Sequence, residues 1–107
     1  MKQYTNKEQT QHLIEFGFPR PQTVINEYRV LELNPYGPVE FEYAYSIGEL
    51  IEFLGQNLME IRTYPYKTTY GVMFGQEPDS LAWKVIQGEL IDKLYDACVE
   101  LKNEGVI

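Results

Sequence analysis

The sequence predicts an α+β domain in the order αββαβββα, an antiparallel sheet of about five strands flanked by three helices. Three observations carry that expectation. Two segments, Thr5-Asn6-Lys7-Glu8 and Ser46-Ile47-Gly48-Glu49, have the spacing of capping boxes. Val39 to Tyr45 alternates as a strand does. Glu89 to Asn103 carries an apolar stripe at helical spacing.

The first helix starts at the Thr5 box and runs toward Phe16, where Gly17 supplies a left-handed cap and Pro19 forbids continuation. Leu13, Ile14 and Phe16 are its large apolar residues, so it packs through its last turn. Pro19-Arg20-Pro21 is a stiff connector. Tyr28 to Leu33 reads as a strand, although Glu27 to Leu33 would also tolerate helix, Asn34-Pro35-Tyr36-Gly37-Pro38 as turn chemistry, and Val39 to Tyr45 as the returning strand of a hairpin. Val39, Phe41, Tyr43 and Tyr45 point one way, and Glu40, Glu42 and Ala44 the other. Ser46 then opens a short helix to about Leu54, with Ile47, Leu50, Ile51 and Leu54 at i, i+3, i+4, i+7 spacing and Gly55 ending it. Segments near Leu58–Tyr64, Tyr70–Gly75 and Leu81–Ile86 are β-branched and aromatic, hence strands. In the last helix Leu90, Ile91, Leu94, Tyr95, Ala97, Cys98 and Leu101 share one side, with Glu89, Asp92, Lys93, Asp96, Glu100 and Asn103 opposite. Gly105 is placed to stop it.

At 107 residues the chain has the size of a single domain spanning 1–107. Nothing in it approaches the roughly 20 apolar residues of a bilayer crossing, and its first residues lack a signal-peptide core. A cytoplasmic address and no membrane partner are therefore expected. A lone cysteine, Cys98, excludes an internal disulfide and fits a reducing compartment.

Catalytic parts are few: one histidine, His12, one cysteine, and two serines, Ser46 and Ser80. Ser46 is explained as a cap, Ser80 as a turn residue, and Cys98 as a small hydrophobe in an apolar stripe. His12 reads as a surface histidine. Zinc needs clustered Cys and His ligands, which this chain lacks. The carboxylate pairs Glu40/Glu42, Glu49/Glu52 and Asp92/Asp96 have no metal-binding or phosphate-binding loop beside them and read as solvated faces. No cofactor, no metal and no enzymatic activity are expected.

Charge placement is more informative. The formal net charge is −7, and from Val30 to Ile61 there are six acids (Glu32, Glu40, Glu42, Glu49, Glu52, Glu60) and no Lys or Arg. The last helix adds Glu89, Asp92, Asp96 and Glu100 on its exposed side, relieved on that side only by Lys93. Such a field repels nucleic-acid phosphate and attracts basic proteins; its plain alternative is solubility. Arg62 and Lys67, among Tyr64, Tyr66 and Tyr70, are too few cations for a nucleic-acid platform. Nine tyrosines are many for this length, and tyrosine is enriched at interfaces; the equal alternative is that the helices cover the sheet face that carries them and the tyrosines form a core rim. The expected contact surface is Glu40, Glu42, Glu49 and Glu52 with Tyr43, Tyr45, Tyr64 and Tyr66.

Tyr45-Ser46-Ile47-Gly48-Glu49-Leu50-Ile51, Glu89-Leu90-Ile91-Asp92-Lys93-Leu94-Tyr95, the closing Glu104-Gly105-Val106-Ile107 and the early Gly17-Phe18-Pro19 form a pattern. It resembles small uncharacterised proteins carried by gut bacteria, their phages and other mobile elements. That resemblance covers about half the chain and implies a mobile-element setting, with no activity and no functional residue to carry over.

The expected function is thus a non-enzymatic, acidic protein-binding module. In its sharper form the acidic face occupies the nucleic-acid site of a host enzyme, with the glutamates standing in for phosphates. The alternatives are a small-molecule-binding domain or minor enzyme, with a pocket lined by tyrosines and Trp83 between sheet and helices, and a homo-oligomer paired through a tyrosine face or sheet edge.

Overall fold

The computed structural model describes residues 2–29, 39–64, 69–75 and 84–107. Helix α1 (Lys7–Glu15) leads into β1 (Thr23–Arg29) and β2 (Val39–Ala44). Helix α2 (Ile47–Leu54), β3 (Leu58–Tyr64), β4 (Thr69–Phe74), β5 (Lys84–Gly88) and α3 (Leu90–Asn103) follow. The α+β class and the order αββαβββα are as expected. The five strands form two sheets rather than one: β1–β2, and β3–β4–β5 with β4 central, all antiparallel. Just past β2 the chain pairs with the N-terminal segment and turns into α2.

Local chemistry sets the helix ends. The cap of α1 falls one residue later than the spacing predicts. Asn6 accepts from Gln9 N (2.8 Å), and the Gln9 side chain accepts from Asn6 N (3.0 Å). Thr5 is drawn elsewhere: its buried hydroxyl accepts from Tyr45 N (3.0 Å) and meets the Thr10 hydroxyl at 2.7 Å. The helix closes as expected, with Phe18 N donating to Leu13 O and Gly17 N to Ile14 O. That closure needs the left-handed backbone of Gly17 (φ +93°). The Ser46–Glu49 box caps α2 as predicted. Strand β1 begins at Thr23, upstream of the predicted Tyr28–Leu33; residues 30–33, the turn 34–38, Tyr66 and Trp83 lie outside the described residues.

The core lies between α2, α3 and one face of the three-stranded sheet. Leu50 and Leu54 of α2, Ile91, Leu94, Ala97, Cys98 and Leu101 of α3, and Val72 and Phe74 of β4 are all buried. Each fully buried large aliphatic side chain contributes roughly 1.5–3 kcal/mol. Leu13 and Phe18 extend this core to α1, and Phe53 stands between the rings of Phe18 (5.2 Å) and Tyr45 (5.6 Å). The β1–β2 hairpin packs mainly on itself as an arm. The molecule is correspondingly long, with a Cα radius of gyration of 16.5 Å, against about 13 Å for a compact chain of this size. Among the described residues no helix is long and apolar enough to cross a membrane.

Candidate protein-contact surface

The glutamates do not make one anionic plateau among the described residues. Glu49 is turned inward, where its carboxylate accepts from Ser46 N (3.2 Å), Gln22 N (3.2 Å) and the Thr23 hydroxyl. Partial burial pushes its carboxyl up, but these hydrogen bonds together outweigh that and hold it below the usual carboxylate range. It is the pin between α2 and the start of the arm. Glu52 is exposed beside it, in a groove that also holds Arg20. Glu60 is paired with Arg62 at 2.9 Å. Glu40 lies in the β2 ladder opposite Tyr28. Glu42 is half-buried on the wall of a different cleft. Neither Glu42 nor Glu52 has an ion pair with a described residue.

The last helix is also better neutralised than its own sequence implies. Lys84 of β5 reaches Glu100 and Glu104, and Lys2 reaches Asp92 at 3.3 Å, in addition to the local Lys93–Asp96 pair at 3.0 Å.

The tyrosines are also dispersed. Tyr45 is 0% exposed; its hydroxyl donates to Pro19 O at 2.5 Å, and burial, with the Glu49 charge second, pushes its pKa up to about 12. Tyr45 is therefore core, not contact surface. It sits just past the end of β2, where α2 and the N-terminal segment close over the chain. Tyr64 lies half-buried on the open side of the three-stranded sheet, across Gly71. A Cβ at position 71 would come within 2.9 Å of its ring, so the glycine makes that seat. Tyr70 packs on the helix-covered side.

Tyr43 alone of the four named tyrosines is shown strongly exposed, at 44%, and it does not stand alone. Phe41 is 46% exposed, with its ring centroid 6.4 Å from that of Tyr43, and Val24, the ladder partner of Tyr43, is 46% exposed. Strand β2 turns its aromatic side to solvent, while Ala44 on the other side is buried. Beside Val24, β1 has a bulge at which Ile25 adds a further exposed apolar residue. Phe41, Val24 and Ile25 did not figure among the sequence candidates; only the shared direction of Phe41 and Tyr43 was readable.

The lone cysteine and the lone histidine both have partners or burial within the fold. Cys98 is buried, its thiol pushed up to about 12 by that burial. His12 is engaged rather than a plain surface residue: its Nδ1 meets the Tyr95 hydroxyl, and its ring stands edge-on to Phe16 at 4.4 Å. Among the described residues no group of three or more His, Cys, Asp or Glu could hold a metal ion.

The fold thus defines an α+β protein with an apolar arm. Comparison with protein-family models, curated proteins and solved structures finds no match to this chain.

Proposed function

We propose that this chain is a non-enzymatic binding module, of the kind carried by phages and mobile elements, that holds a basic protein partner against its β1–β2 arm. The observation that supports this most is the outward aromatic side of β2. Large apolar side chains that share a face and stay in water mark interaction sites on soluble proteins, and aromatic residues are the ones that anchor interfaces. Phe41, Tyr43 and Val24 supply the apolar centre. Glu42 on the other side of β2 and Glu52 on α2, neither with an ion pair among the described residues, add to a negative charge that steers association more than it adds affinity. The net charge of −7 selects a basic partner. Occupation of a nucleic-acid enzyme's site by phosphate mimicry rests on less, because Glu49 is committed to Thr23 and Gln22.

The test is affinity capture from bacterial lysate by the full chain, at low and high salt, beside the Phe41→Ser/Tyr43→Ser variant. A captured protein that is retained less at high salt and lost with the variant supports the proposal. Salt-insensitive capture removes the electrostatic component, and undiminished capture by the variant removes the arm.

A further inference from the structure

The outer edge of the two-stranded sheet is already partly occupied by the chain itself. Thr5 N donates to Tyr45 O at 3.0 Å, Tyr45 N donates to Thr5 Oγ1 at 3.0 Å, and Tyr4 bridges antiparallel to Ser46. The main-chain groups of Tyr45 therefore point away from β1. Along an antiparallel strand these groups alternate in direction, so Tyr43 and Phe41 also direct their N–H and C=O away from β1. No described strand lies against them. The N-terminal segment does not continue along this edge, because Asn6 caps α1 and the chain turns into helix.

Where it departs, a cleft of about 370 Å³ opens between α1 and the arm, with Lys7 and Gln11 on one wall and Ile25, Glu42 and Tyr43 on the other. Half-buried Glu42 faces this cleft without a described partner. A carboxylate held this way favours a cation brought by whatever enters.

We infer that this cleft receives an extended segment of the basic partner, which adds to β2 as a further strand at Phe41 and Tyr43 and sets a Lys or Arg against Glu42. The inference rests on the partner-binding reading above and specifies how the partner is held. In strand addition the main chain provides affinity and alternate side chains provide specificity. Charge argues for this occupant over a second copy, since a second copy also carries −7.

The experiment titrates the isotope-labelled full chain with an eight-residue peptide of alternating Lys and Val. It is repeated with the fully N-methylated form of that peptide, which keeps the charges and removes the donors, and with a Glu–Val peptide. Saturable shifts centred on the Phe41 and Tyr43 amides, with slowed hydrogen exchange there, are expected. Binding should weaken about tenfold for the N-methylated peptide, for the Glu–Val peptide and for the Glu42→Gln chain. Equal binding of the N-methylated peptide, shifts elsewhere, or no saturable shift overturns strand addition. The arm-face reading fails separately. Strand addition uses the main chain of β2 and the cleft, whereas the face also uses the Val24 side chain on β1, which lines neither, so Val24→Ser spares peptide binding and weakens only the contact proposed for the face.

Discussion

The three-stranded sheet and the two-stranded arm use the same alternating strand grammar and end in opposite situations. In the sheet, Val72 and Phe74 of β4 lie beneath α2 and α3 and are fully buried. In the arm, Phe41 and Tyr43 of β2 share a side in the same way and stand in water. The difference is the helix. Strand β4 has α3 packed along it, whereas the N-terminal segment and α2 hold the arm at its base, through Thr5 and Glu49. Alternation determines which side chains share a face; tertiary packing determines whether that face is covered.

The comparison breaks most visibly in the core. Leu94→Ala removes a fully buried side chain from the α3 stripe and should cost about 2–5 kcal/mol, the usual range for such a cavity. Denaturant unfolding followed by circular dichroism measures it. A loss below 1 kcal/mol, as for a surface position, would mean that α3 is not the lid of this core.

A smaller effect is expected at the pin between the two regions. Glu49→Gln keeps the shape and removes the charge that three donors share. Hydrogen bonds to a charged group contribute about 1.5–3 kcal/mol, reduced here by partial exposure to about 1.5 kcal/mol. The sign with pH follows from the lowered carboxyl. Its contribution is complete above the ordinary glutamate value of about 4.3 and is lost as pH falls through the lowered folded value. Hydrogen exchange should therefore show β1 and β2 opening in acid before β3, β4 and β5, and Glu49→Gln should remove that pH dependence. Uniform opening of both sheets would refute the pin.

The body of the fold was largely readable from sequence, and the reason is local. The bounds of α2 follow from Ser46 and Gly55, those of α3 from its apolar stripe and Gly105, and β3 from its own composition. What escaped depends on distant partners. Thr5 reads as a cap until Tyr45 claims its hydroxyl, and Asn6 then caps in its place. Strand β1 begins at Thr23 because Thr23 pairs with Ala44 and bonds Glu49, contacts no window of sequence contains. The candidate surface failed in the same manner. The acids of one sequence stretch are separated by the pairing of Glu60 with Arg62 and the inward turn of Glu49, and Tyr45 is buried by helices that its strand pattern cannot announce.

A third effect is expected at Tyr45. Tyr45→Phe keeps the ring in the core and deletes the bond to Pro19 O, so a loss of about 1 kcal/mol is expected from one buried hydrogen bond. The exposed Tyr43 has no such bond among the described residues, and Tyr43→Phe should leave unfolding unchanged. Equal effects of the two substitutions would erase the distinction between core and contact tyrosine.

The smallest effect on stability belongs to the most exposed residues, and it is the sharpest statement of the comparison. Phe41→Ser and Tyr43→Ser remove large rings from a strand, which in the body would be a severe change. Here neither ring is beneath a helix, so each substitution should shift unfolding by no more than about 0.5 kcal/mol. Some β-propensity is lost with each aromatic ring, and less apolar surface is left in water. Denaturant midpoints of the two variants against the parent chain decide the matter. A loss of 2 kcal/mol or more for either would place that ring in a packed environment, and the arm would then be a second core element rather than a surface held ready for a partner.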